Sequence, residues 1–156
     1  MKKEIVIGVF AILLLLLVFL SGGYIKFGGK RESIEYSVTT EYLMIALNKK
    51  VYSQAETMII TIKNVGEKTI FFGGTGYDLQ FEKWDGESWH FYIGIIQAEV
   101  ITPLQPDEEA TVLYKLGEAL DYPFPVGRYR VGTNGWYEIN NEIHRLPMIY
   151  IEFDVV

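Results

Sequence analysis

The stretch Tyr77-Asp78-Leu79-Gln80-Phe81-Glu82-Lys83-Trp84-Asp85-Gly86-Glu87-Ser88-Trp89-His90-Phe91-Tyr92-Ile93 decides the fold. Bulky and polar residues alternate on both sides of Trp84-Asp85-Gly86, and a period of two marks strands with one buried face. A three-residue hairpin loop asks for a left-handed residue in last place, which Gly86 supplies without steric cost. That loop pairs Lys83 with Glu87, Phe81 with Trp89, Leu79 with Phe91 and Tyr77 with Ile93. One face is then apolar, and Glu82/Ser88, Gln80/His90 and Asp78/Tyr92 line a polar one, as a half-buried hairpin requires. A two-residue loop at Asp85-Gly86 moves Phe91 to the side of Gln80, so the longer loop is expected.

The same period extends outward in both directions. Thr57 to Asn64 turns Met58, Ile60 and Ile62 inward and Thr57, Thr61 and Lys63 outward. Glu41 to Leu47 alternates through Leu43, Ile45 and Leu47. Downstream, Ala110 to Leu116 places Ala110, Val112, Tyr114 and Leu116 on one face. Arg128 to Gly132 does so with Tyr129 and Val131, and Met148 to Val155 with Ile149, Ile151, Phe153 and Val155. With the two hairpin arms this gives about seven main strands, separated by turn signals, an all-β pattern. Ala98 to Thr102 reads as a short edge strand. Val51 to Glu56 and Gly117 to Pro125 read as connections, and Thr133 to Leu146 as a long loop. No internal repeat is visible.

The amino terminus is of another kind. Ile5 to Ile25 carries no charge over 21 residues. As a helix it is about 31 Å long at ~1.5 Å per residue, which matches the roughly 30 Å hydrocarbon core of a bilayer. Lys2 and Lys3 precede it; Lys26, Lys30 and Arg31 follow. The run exceeds the apolar region of a typical secretory signal. Gly23 stands where a lipobox after Leu20-Ser21-Gly22 requires cysteine, so no lipid is attached there. The expected organisation is a transmembrane anchor over 1–25, with a cleaved signal peptide as the alternative, then a tether over 26–36 and one β-domain over 37–156. The short basic head favours a cytoplasmic amino terminus, so the β-domain is expected outside the cytoplasm, on a single-pass cell-membrane protein.

Composition narrows the chemistry. The net charge is −6 and cysteine is absent. An acidic domain is a poor partner for nucleic acid. Without cysteine there is no disulfide, thiolate nucleophile or cysteine-based metal site, so stability rests on packing, to which an aromatic content of 15% contributes. His90 and His144, the only histidines, show no ligand spacing. Gly73-Gly74-Thr75-Gly76 lacks the Lys-Ser/Thr of a phosphate loop, and no Gly-x-Ser-x-Gly elbow appears. Neither an enzyme nor a cofactor is expected.

Pro125-Val126-Gly127-Arg128-Tyr129-Arg130-Val131 resembles the Asp-x-Gly-x-Tyr-x-Cys run on strand F of immunoglobulin-like domains. Gly127 and Tyr129 match, Val131 takes the cysteine position, and Pro125 replaces the aspartate. The segment from Tyr42 to Phe153 resembles the bacterial Ig-like domain of small exported proteins, with Asn64, Gly73, Trp89 and Gly127-Arg128-Tyr129-Arg130 in the family's order. The resemblance implies an immunoglobulin-like β-sandwich of about seven antiparallel strands, a corner hydrogen bond from Tyr129, and Ile60 or Ile62 facing Val131. It implies no particular activity. In such a sandwich the F–G and B–C connections share one end. Asn134, Trp136 and Tyr137 on the F–G connection are therefore the candidate partner-binding residues, together with Arg128 and Arg130 on strand F. The expected role is a non-enzymatic binding or accessory module that contacts another envelope protein or a glycan and sits on the lipid bilayer through residues 5–25. A weaker likeness, to Ig-like proteinase inhibitors, implies instead that the B–C and F–G loops are presented to a protease.

Overall fold

A computed structural model describes residues 36–95, 98, 100–117 and 124–156. The expected anchor and the tether up to residue 35 lie outside the described residues. Among the described residues there are thirteen strands and no helix, hence none long and apolar enough to cross a membrane.

Two sheets carry the core. The first runs β1-β2-β4-β9, with β1 at Tyr36–Thr39, β2 at Leu43–Leu47, β4 at Thr57–Asn64 and β9 at Glu109–Lys115. The second runs β3-β13-β10-β6-β7, with β3 at Val51–Tyr52, β6 at Gln80–Trp84, β7 at Trp89–Gly94, β10 at Gly127–Thr133 and β13 at Ile149–Val155. Neighbours are antiparallel except β3, which leaves the first sheet and pairs parallel with β13 through Asp154↔Val51 and Val155↔Tyr52. With β2 as strand A, β4 and β9 are B and E, β6 and β7 are C and C′, and β10 and β13 are F and G. This is the topology of an immunoglobulin-like sandwich.

Period-two sequence produces this packing directly. Ile45, Met58, Ile60 and Ile62 from the first sheet and Phe81, Tyr129, Val131 and Ile151 from the second are fully buried in one core. Its centre is aromatic. Phe81 lies 4.8 Å from Tyr114 across the sandwich and 5.2 Å from Phe124, and Phe124 lies 5.0 Å from Tyr129, distances at which ring pairs add about 0.5–1.5 kcal/mol each beyond area burial. Tyr129 donates from its hydroxyl to the Pro125 carbonyl at 2.7 Å, the expected corner bond. Burial, and then the neighbouring Tyr92 phenol, raise the Tyr129 phenol far above its ordinary value.

The seven expected strands correspond to β2, β4, β6, β7, β9, β10 and β13. Besides the opening of the expected connection Val51 to Glu56 as the two-residue strand β3, three sequence expectations are corrected. First, the hairpin register differs. Trp84 pairs with Trp89, Lys83 with His90 and Glu82 with Phe91, and a bulge then brings Phe81 opposite Ile93. The loop has four residues, Asp85 to Ser88, because Asp85 Oδ1 accepts the Glu87 and Ser88 amides at 2.8 Å each and the Asp85 amide bonds back to the Ser88 carbonyl. Moving the pairing by an odd number of residues exchanges the faces of one arm. Phe91 is consequently 67% exposed rather than paired with Leu79, and Tyr77 and Asp78 form a turn with positive φ rather than a strand.

Second, Thr133 to Leu146 is not a loop. It contains β11 (Trp136–Ile139) and β12 (Glu142–Arg145), closed by Asn140 and Asn141 at φ 51° and 66°. Third, the edge strand expected at Ala98–Thr102 starts later, as β8 at Thr102–Leu104. These pieces join β5 (Ile70–Phe72) in a third sheet, β12-β11-β5-β8. The B–C connection supplies β5 and the F–G connection supplies β11 and β12, so the end they share is a sheet of its own. Gly135 is required there: a Cβ would come within 2.7 Å of both Ile70 Cγ2 and the Phe71 carbonyl.

Candidate functional site

The five residues singled out in the sequence fall into two groups. Trp136 and Tyr137 lie on β11 in the third sheet, and Asn134 precedes it. Arg128 and Arg130 lie on β10, in the second sheet.

In the first group each aromatic ring is engaged by neighbours. Trp136 stacks on Phe71 at 6.2 Å. Tyr137 stacks on His144 at 5.2 Å, nearly parallel, and on Tyr42 at 5.5 Å, and Lys68 Nζ lies 4.7 Å from its ring centre. A hydrogen bond with Tyr137 raises the Tyr42 phenol, and the Glu41 carboxylate adds to the shift. Asn134 is partly buried, beside Thr133, whose hydroxyl donates to the Tyr77 carbonyl. These contacts hold the B–C and F–G connections together.

In the second group both guanidinium groups meet carboxylates of adjacent strands. Arg128 Nη2 is 2.5 Å from Glu152 Oε2. Arg130 donates from Nε to Glu82 Oε2 at 2.7 Å, and Glu82 also accepts from the Tyr150 hydroxyl at 2.8 Å. Glu82 is almost fully enclosed, and a buried charge needs this degree of pairing. The Arg130 guanidinium lies 3.8 Å from the Tyr150 ring centre and 4.6 Å from that of Trp89, a cation–π arrangement on both. Arg130 thus fixes the position of Trp89.

Trp89 leads to a surface that the sequence reading placed in the core. It lies 5.2 Å from Trp84 on the outer side of the β6–β7 hairpin. Beside it, Lys83, Trp84, Asp85, His90, Phe91 and Tyr92 line a cleft of about 460 Å³. Asp85 Oδ2 is 2.6 Å from His90 Nε2, which also contacts the Ser88 hydroxyl at 2.9 Å. The Ser88 and Glu87 amides, and then His90, lower the Asp85 carboxyl from its usual 3.8 to about 2. By the register, Lys83 and His90 face one side of this hairpin and Trp84, Trp89 and Phe91 the other, and the Asp85 carboxylate and His90 imidazole at its tip are bonded to each other. The signal for it was Asp85 followed by Ser88, the ends of a capped four-residue turn. Among the described residues no group of three or more His, Asp or Glu is placed to hold a metal ion.

Among curated proteins none matches the chain. Of the solved structures, a β-glucosidase from Listeria innocua in complex with gluconolactone aligns with 77% of this chain and 16% of its own, at 18% identity and a TM-score of 0.35. A β-glucosidase from Erythrobacter marinus aligns with 70% of this chain and 14% of its own, at 12% identity and a TM-score of 0.34. A protein from Archaeoglobus fulgidus aligns with 78% of this chain and 95% of its own, at 12% identity and a TM-score of 0.31. The chain spans about a sixth of the length of the Listeria enzyme, whose activity does not transfer at such likeness. The profile of the bacterial Ig-like domain matches residues 39–144, most of the sandwich described above. The chain belongs to the bacterial Ig-like domain family.

Proposed function

We propose that this protein is a membrane-anchored, extracytoplasmic and non-enzymatic binding module of the cell envelope, and that it meets its partner through the tip of the β6–β7 hairpin. The anchor reading rests on the uncharged run Ile5 to Ile25 and its basic head. The observation that carries the binding reading is the aromatic surface of Trp84, Trp89 and Phe91 outside the core. Aromatic side chains kept at the surface, with a polar rim, are typical anchors for a partner. The Arg130 guanidinium, which also lies over Tyr150, packs against the Trp89 ring before any partner arrives, which lowers the ordering cost of binding. The inhibitor reading asks for protruding B–C and F–G loops, and those connections are tied into one sheet, so the hairpin is the better-presented surface.

The location is testable because the chain has no cysteine. A single Glu138→Cys substitution, at an exposed position of β11, is treated on intact cells with a membrane-impermeant maleimide. Full labelling without lysis is expected, and labelling only after lysis contradicts the proposal.

A further inference from the structure

An edge strand invites pairing with another chain unless it is short, charged or broken by proline. Among the described residues the edges of this fold are blunted in those ways, with one exception. β1, β3 and β8 span two to four residues, and β8 has Pro103 at its middle. β12 begins and ends on Glu142 and Arg145, and β9 on Glu109 and Lys115. β7, the outer edge of the second sheet, has six residues, Trp89-His90-Phe91-Tyr92-Ile93-Gly94, with no proline, acid, lysine or arginine.

The first half of β7 is regular and open. The bulge falls beyond Phe91, and His90 and Phe91 are exposed. The Asp85 amide bonds to the Ser88 carbonyl at 3.2 Å. Bonded and non-bonded pairs alternate along an antiparallel ladder, so Trp84↔Trp89 and Glu82↔Phe91 are non-bonded pairs. The main-chain groups of Trp89 and Phe91 therefore point to the free side. Both rings lie on the outer face, where the neighbouring carboxylate, Glu82, is neutralised by Arg130 and does not repel an identical strand.

From this juxtaposition we infer that the β7 edge pairs antiparallel with β7 of a second copy of this chain, about a two-fold axis at His90. The register follows from the pleat. Opposed residues share a face, so Trp89 of each copy stands opposite Phe91 of the other, and the outward backbone groups of both are satisfied. An axis at Phe91 instead sets Trp89 against Ile93, which lies past the bulge and shares the core face with Phe81. The contact is isologous and uses up both edges, so pairing stops at the dimer. An extended chain gains about 3.5 Å per residue, so the expected tether 26–36 is longer than the eight-residue strand β4, and two antiparallel copies can share one membrane. The inference goes beyond the binding-module reading: the edge joins two copies, and the aromatic outer face of each stays open to the envelope partner.

The chain has no cysteine, so a single His90→Cys substitution reports on the axis. Opposed residues of a non-bonded pair have Cα atoms about 4.5 Å apart, within disulfide reach. The full-length variant in detergent micelles, oxidised with copper phenanthroline, is expected to run as a disulfide-linked dimer on a non-reducing gel. Glu138→Cys, on β11, is expected to give about fivefold less dimer or lower still, because its strand is not at the axis. Phe91→Pro removes only an outward N–H from the hairpin, and Phe91→Lys puts an ammonium group on the edge. Adding either to His90→Cys is expected to cut the dimer about fivefold or more, with the β-sheet circular dichroism unchanged. No dimer from position 90, an equal dimer from position 138, or a dimer that survives both Phe91 substitutions overturns the inference. So does a disulfide formed in native membranes that joins position 90 to a protein of another mass, with no dimer beside it.

Discussion

Asn64 ends β4 with its side chain fully enclosed and its amide fully used. Nδ2 donates to the Lys68 and Leu104 carbonyls at 2.8 Å each, and Oδ1 accepts the Gly66 amide at 3.0 Å. One side chain thereby fastens strand B to the start of the B–C connection and to β8. Asn64→Ala leaves two carbonyls and one amide without their partner, and stranded buried groups cost about 1–3 kcal/mol each before relaxation and water entry recover part of it. A loss of roughly 2–4 kcal/mol in urea unfolding, with an unchanged slope, is the expected result. The sequence pointed to Asn64 by its place in a family pattern, but only its Gly66 bond is local; the carbonyls its amide reaches are 4 and 40 residues away, and no local rule names them. Tyr129 is the opposite case, because its corner bond spans only four residues and the Pro-x-Gly-x-Tyr run already implies it.

At the scale of elements, the hairpins show what alternation leaves open. Period two marked strands at Tyr77 to Lys83 and Glu87 to Ile93, which the structure places at Gln80–Trp84 and Trp89–Gly94, but it is blind to which arm residues face which. Turn chemistry decides that, and here a capped four-residue turn outcompetes the Gly86-terminated three-residue loop. The difference moved Phe91 from core to surface and, with it, the candidate site. The β11–β12 hairpin was legible in principle: Asn140-Asn141 are two residues that tolerate positive φ between short alternating arms, the mark of a type I′ turn. The β6–β7 turn also makes a pH prediction. The Asp85 carboxyl is lowered on folding, so its contribution is complete above its usual 3.8 and is lost as pH falls toward about 2. In an acid titration by NMR, the Glu87 and Ser88 amide resonances are expected to shift with a midpoint near 2, and a midpoint near 4 contradicts the turn geometry.

For the molecule as a whole, the sandwich was legible because its seven long strands each carry an apolar face and each buries it. Strands too short to show a period were not: β1, β3, β5 and β8 span two to four residues, and their pairing comes from tertiary contacts. The site was less legible than the fold. Trp136 and Tyr137 turned out to brace the end of the sandwich, and Arg128 and Arg130 to pair with carboxylates of neighbouring strands. The hairpin tip, with Phe91 67% exposed, is one of the surfaces the fold leaves outward, on a domain read as tethered by Ile5 to Ile25. The most direct test of that account is photo-crosslinking in living cells, with a benzophenone amino acid in place of Phe91 and, separately, in place of Ile143, which is comparably exposed on β12. Adducts with an envelope component from position 91 and none from position 143 are predicted; equal adducts from both positions, or none from position 91, contradict it.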